Sequence, residues 1–184
     1  MIAVLAGRRV DAADAPVARF PLMNVEKVKE KLQQFFTANN IDYLVSSGAC
    51  GADLIALDVA GHLDILRKMV LPFGAETFRS SSVTDRPGNW GELFDTIHEE
   101  LKKQSNVITL KYTQDDDEAY EKTNFDILNT ADILFEKSND AGDEKKVAII
   151  IWEGAPKDSN DTTDHFRKEA GKRGYQIEEI NSLH

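Results

Sequence analysis

The sequence predicts an α/β domain in three layers, a mostly parallel sheet of about six strands with helices on both faces. Three observations predict it. Short apolar runs alternate with longer stretches of helical period along the whole chain. The run Val147 to Trp152 reads VAIIIW, the continuous apolar pattern of a central strand buried on both faces. Several runs end in glycine or small polar residues, the composition found where parallel strands meet a ligand at their carboxyl ends.

The elements follow in order. Ile2 to Ala6 is the first strand, stopped by Gly7. It opens at the start of the chain, which therefore either begins abruptly or is one domain excised from a longer protein. Residues 8–21 carry prolines and alanines without a sustained period and read as a loop. Asn24 caps the next helix, in which Val25, Val28, Leu32, Phe35 and Phe36 recur at helical spacing through Ala38. Ile41 to Ser46 is the second strand; Gly48 breaks it, and a helix runs from about Gly51 to Leu63. Leu66 to Phe73 is the third strand. Residues 74–89 read as a polar connection, long enough to fold over a ligand as a lid.

A helix follows from Trp90 to Gln104, with Trp90, Leu93, Phe94, Ile97 and Leu101 in register. Val107 to Leu110 is a short fourth strand. QDDDE, residues 114–118, reads as an acidic helix start suited to the positive end of the dipole, and that helix continues to about Glu136. Residues 137–145 form a polar turn. After the strand Val147 to Trp152 and a loop at 153–161, a helix spans Thr162 to Lys172, closed by Gly174, and Gln176 to Ile180 is the last strand. With right-handed crossovers this is a Rossmann-like winding.

The chain has 184 residues, enough for one domain spanning 1–184 with a substantial core. Its formal net charge of -10 disfavours DNA, RNA and anionic membrane surfaces, all polyanionic, while leaving room for a small anion held by local dipoles. No run has the length of a membrane span, and the apolar start is too short for a signal peptide. The single cysteine, Cys50, excludes an internal disulfide framework and a CxxC metal site, so a reducing cytoplasm is expected. The four histidines show no metal-binding spacing, and no metal is expected.

The chemistry is expected where the strands end. The first strand is followed by Gly7, Arg8 and Arg9; a guanidinium there can fork onto a phosphate, or pair on the surface with Asp11. The second runs into SSGACGAD, which contributes Ser47, Gly48, Gly51, Ala52 and Asp53. Small residues let backbone N–H groups approach a ligand, and the helix starting there adds unpaired donors and a positive end, so a phosphate is the natural guest. The alternative is a tight strand-to-helix turn that binds nothing. Asp53 either caps that helix or bonds a ribose hydroxyl. Arg79, Ser80, Ser81, Ser82 and Arg86 lie in the connection, which is either a lid or a solvated loop; Gly154 follows the central strand, and Thr162 and Thr163 offer hydroxyls at a helix start. Cys50 reads as a small packing residue.

Taken together, AGRRVDA with Arg19-Phe20-Pro21, SSGACGADLIALD, VLPF followed by FRSSSV, Asn89-Trp90-Gly91, Tyr120 with Thr123-Asn124, and IIIWEG resemble the SLOG (Smf/DprA–LOG) superfamily, closest to its bacterial signalling-associated branch. The resemblance runs along nearly the whole chain. It implies a Rossmann-like domain that binds a nucleotide or nucleotide-derived ligand, seats its phosphate at Gly48 and Gly51 flanked by Gly7 and Arg8, and brings Asn124 to the same edge. It also implies pairing into a homodimer and fusion to, or partnership with, signalling modules. Asp161 stands where relatives have the glycine of a Gly-Thr pair, and the PGGxGTxxE signature of the cytokinin-activating enzymes is absent, so their activity does not transfer.

Three functions follow. The first is a sensor for a nucleotide, NAD or an ADP-ribose-like signal. The second is an enzyme cleaving an N-glycosidic bond, which needs a carboxylate near the sugar's anomeric carbon; Asp53, Glu76, Asp85 and Glu92 are the candidates, none singled out by spacing. The third is an interaction domain that holds no ligand.

Overall fold

A computed structural model describes residues 1–138 and 145–184. Six strands, β1 (Ile2–Gly7), β2 (Tyr43–Ser46), β3 (Leu66–Leu71), β4 (Val107–Thr109), β5 (Lys146–Trp152) and β6 (Gln176–Asn181), form one sheet. Every neighbouring pair is parallel, in the order β4-β3-β2-β1-β5-β6. The helices are α1 (Val25–Asn39), α2 (Ala52–His62), α3 (Ala75–Ser82), α4 (Trp90–Lys103), α5 (Ala119–Ser138) and α6 (Thr162–Lys172). This is the three-layer Rossmann-like architecture.

The two faces of the sheet carry separate cores. Val147, Ile149 and Ile151 of β5 pack with residues of α1, α2 and α4. The alternate residues Ala148, Ile150 and Trp152 pack with residues of α5 and α6. Side chains alternate along a strand, so a strand covered on both faces must be apolar at every position, as VAIIIW is. From β1 the chain steps outward through β2 and β3 to β4. It then returns under the sheet as α5 and places β5 on the other side of β1. The strand order therefore reverses between β1 and β5, where a crevice opens at the carboxyl ends.

Several sequence expectations are corrected. Residues 75–82 are a helix, α3, and not part of an open loop. Ser80 and Ser81 hydrogen-bond through their hydroxyls to the Thr77 carbonyl at 2.9 and 3.0 Å, which lets a serine run stay helical, and Phe78 is its buried anchor. The QDDDE segment precedes α5 as a turn, in which the Asp116 carboxylate accepts from the Glu118 N–H and the Lys122 ammonium. Asn24 does not cap α1 with its side chain. A 3₁₀ turn, Leu22–Asn24, runs straight into the helix, and the Asn24 amide donates to the Ser182 carbonyl instead.

β2 begins at Tyr43, not Ile41, and β3 stops at Leu71. Of the expected turn at 137–145, Lys137 and Ser138 belong to α5, and residues 139–144 lie outside the described residues. No helix among the described residues is long and apolar enough to cross a membrane.

Candidate functional site

The crevice at the β1/β5 reversal is a cavity of about 550 Å³, within the range of small-molecule sites. Its wall comes from five places: the chain leaving β1, the turn after β2, the C-terminal end of α3 with the connection that follows, the first turns of α5, and the start of α6 with the loop before it. Gly7, Arg8, Arg9, Ser47, Asp53, Asn124, Thr162 and Thr163 all line it.

The glycine-rich turn is built for packing. A Cβ on Gly51 would lie 2.8 Å from both the Arg8 carbonyl oxygen and the Val10 nitrogen, and Gly51 has φ +92°. Only glycine lets the chain leaving β1 cross the start of α2 this closely. Three N–H groups of the turn are spent inside the protein: Cys50 donates to the Ser82 carbonyl at 3.0 Å, Ala52 to the Arg8 carbonyl at 3.1 Å, and Ala49 to the Asp53 carboxylate at 3.2 Å. Gly48, Gly51 and Ala52 do not line the cavity; Gly48 faces Met69 and Phe94, and Ala52 lies under Gly7.

Other expected residues are placed elsewhere as well. Arg79 forks onto Asp95 of α4 through Nε and Nη2, at 2.7 and 2.9 Å, and Ser80 is bonded into its own helix. Gly154 sits in an exposed turn at φ +97°. Of the candidate acids, Glu76 is exposed on α3, Glu92 accepts from the Asn89 amide, and Asp85 binds arginines; none of the three lines the cavity.

Arg8 is the clearest correction. It is almost wholly buried, and all its donors are committed to protein. Nε and Nη2 grip the Glu153 carboxylate at 2.6 and 3.1 Å, Nη1 binds Asp161 at 2.8 Å, and Nη2 also reaches the Ala155 carbonyl at 3.0 Å. Arg19 pairs with the same Glu153. Arg8 is thus a pillar of the site, with both edges of its guanidinium on carboxylates, so it offers a phosphate no free fork.

Asp161 completes the pillar by capping α6. Its carboxylate accepts from the N–H groups of Thr163 at 2.9 Å, Asp164 at 3.3 Å and Lys157 at 2.7 Å. Burial alone would raise the Asp161 carboxyl. The Arg8 hydrogen bond, the Lys157 N–H and the Arg8 charge outweigh that and hold it at about 2. The start of α6 therefore already holds an anion, its own.

Asp53 is the opposite case. Burial pushes its carboxyl up to about 7, against the Ala49 N–H that favours the ionised form. Burial likewise pushes the Cys50 thiol up to about 11, with Arg9 and Arg86 opposing, which leaves that sulfur unreactive. Because folding raises the Asp53 pKa, its contribution to stability is complete below the unfolded value, about 3.9, and is lost as pH rises to about 7. Asp53→Asn is expected to be more stable than the wild type at pH 8, by about 2 kcal/mol, with the difference vanishing near pH 4. Urea denaturation at the two pH values measures it.

One residue of the wall, Lys157, went unmarked in the sequence, whereas Arg86 lies in the lid-like connection and Tyr120 is among the residues of the family resemblance. Lys157 lies in the loop before α6; its desolvation and the nearby Arg8 charge lower its pKa, and among the described residues its ammonium makes no ion pair. Its only sequence signal is its place four residues before the capping aspartate. Arg86 lines the opposite wall beside Arg9. Tyr120 lines it too, its hydroxyl 2.9 Å from Ser82 Oγ. Among the described residues no group of three or more His, Cys, Asp or Glu is arranged to hold a metal ion.

No family model matches the chain, and no curated protein matches it. Among solved structures it is similar to DNA processing protein A (DprA) from Streptococcus pneumoniae, with 13% identity and a TM-score of 0.43 over 95% of this chain. It is also similar to the S. aureus MnaA–UDP co-structure, with 10% identity and a TM-score of 0.37 over 99% of this chain. The chain spans 57% of the DprA chain and 68% of the MnaA chain. The Rossmann-like architecture rests on the strand order and crossovers of this chain itself.

Proposed function

We propose that this chain binds a nucleotide or nucleotide-derived, phosphate-bearing ligand in the cavity at the β1/β5 reversal, and does so as the sensing domain of a signalling protein of the SLOG type. The observation that carries this reading is charge placement. In a chain of net charge -10, Arg9 and Arg86, which share one carboxylate, and Lys157, which makes no ion pair among the described residues, line one cavity beside the neutralised Arg8 and Arg19 and the acidic Asp11 and Asp53. Such focusing draws a small anion in while the acidic exterior repels nucleic acid and anionic membrane. Hydroxyls of Ser47, Tyr120, Thr162 and Thr163 on the same wall suit a sugar.

One observation favours a second reading, cleavage of an N-glycosidic bond. Asp53 lines the cavity with its carboxyl pushed up to about 7, the range in which a group gives and takes protons at neutral pH. One experiment separates the readings: thermal unfolding with nucleotides, NAD and ADP-ribose, each mixture checked for released base. A ligand at about 100 times its Kd adds about 2.7 kcal/mol, a rise of roughly 5–10 °C in Tm for a domain of this size. A rise with intact ligand is the expected result. A rise with released base, abolished by Asp53→Asn without loss of binding, makes the chain an enzyme. No rise with any of them refutes ligand binding and leaves an interaction domain.

A further inference from the structure

We infer that the anionic group of the ligand is received by the paired guanidinium groups of Arg9 and Arg86, on the α3 side of the cavity, and not by the start of α6. The inference rests on the cavity being a ligand site, and it assigns the ligand's orientation there. Arg9 and Arg86 come from distant parts of the chain, one leaving β1 and the other in the connection between α3 and α4, and both line the cavity. Asp85 lies between them. Arg9 Nη1 donates to both of its oxygens at 2.9 Å, and Arg86 Nε lies 3.4 Å from one of them. Two guanidinium groups share one carboxylate, so the group keeps one positive charge in excess.

Arg86 Nε has a further property. Among the described residues it is the one buried side-chain polar atom without a hydrogen bond. It meets the Asp85 carboxylate as an ion pair at 3.4 Å but without hydrogen-bond geometry, a weaker arrangement than buried polar groups in folded proteins usually have. A ligand oxygen reaching the exposed part of the Arg86 guanidinium would neutralise the excess charge and add charge-assisted hydrogen bonds that the loose Asp85 contact does not provide.

The α6 side is made unsuitable by the protein itself. The Asp161 carboxylate, ionised at any pH near neutral, sits where a phosphate would sit on that helix and takes the N–H groups of Thr163 and Asp164. Glu153 lies close by, on the other edge of Arg8. A phosphate placed there would meet two carboxylates already paired with Arg8 and Arg19, and a filled helix start, with the Lys157 ammonium as the one unpaired cation on that side among the described residues. An uncharged end bearing hydroxyls meets no such repulsion from Thr162 and Thr163.

The test is calorimetric titration of the whole chain with inorganic pyrophosphate, AMP and adenosine. Arg86→Met is expected to weaken pyrophosphate and AMP by about tenfold or more, as befits a lost charge-assisted bond, and to leave adenosine unchanged. Arg86→Lys is expected to restore only part, because an ammonium cannot present a fork. The ligand-free melting temperature of each variant serves as the folding control. AMP and pyrophosphate binding that survives Arg86→Met but collapses in Lys157→Met would overturn the assignment and move the anion to the α6 side. Wild-type protein that binds pyrophosphate through Arg86 but neither AMP nor adenosine would keep the subsite and sink the nucleotide reading. Binding of none of the three would end both.

Discussion

Arg8→Met is expected to destabilise the fold by about 3–5 kcal/mol, seen as a lowered urea midpoint at unchanged slope. The loss does not measure the attraction within the pair. It comes from leaving Asp161 buried without a cation and Glu153 with Arg19 alone. Removing a carboxylate as well should therefore recover part of it: Arg8→Met with Asp161→Asn is expected to be more stable than the sum of the two single changes. The same pillar carries an acid sensitivity. Folding depresses the Asp161 carboxyl to about 2, so its contribution is complete above the unfolded value, about 3.9, and is lost as pH falls toward 2. That part of the acid transition should flatten in Arg8→Met.

Gly51→Ala is expected to cost about 3 kcal/mol or more. Two penalties add at this position. The backbone is at φ +92°, and the new methyl would press on the Arg8 carbonyl and the Val10 nitrogen, backbone atoms that cannot swing aside as a side chain would. Gly174→Ala is the control for positive φ without crowding, since Gly174 has φ +78° and a Cβ there meets nothing within 4 Å. It should cost about 1–2 kcal/mol, and the difference between the two midpoints is the crowding at Gly51 together with the added backbone cost of its ψ of −125°. A Gly51→Ala protein as stable as Gly174→Ala would show that the β1 exit and α2 can separate freely.

The layers of the fold were legible because they depend on period. β5 announces itself by six apolar residues in a row, and α4 by Leu93, Phe94, Ile97 and Leu101 on one stripe. α3 was not legible, because a helix of eight residues resting on one buried phenylalanine carries too little period to stand out from its serines. The glycine-rich turn was visible as a special backbone, but its purpose was not. Room for a phosphate and room for a second strand of chain demand the same small residues, and here the second strand of chain is what fills it. Arg8 was found by position, yet only the fold shows its two carboxylate partners, one at the end of β5 and one capping α6. Lys157 sits in a polar loop where neighbours in sequence say nothing about neighbours in space, and Arg86, visible as part of the lid-like connection, gave no sign that it would stand beside Arg9.

The ends of the sheet bear on how copies of this chain can associate. One outer strand, β4, is only three residues long. The other, β6, carries Glu178 and Glu179 in its middle. A short edge and a charged edge both resist the docking of another strand, so two copies gain little by joining their sheets into one. Any self-association is left to the helical faces, and a concentrated solution of the folded domain should be protected from the strand-to-strand growth that leads to fibrils.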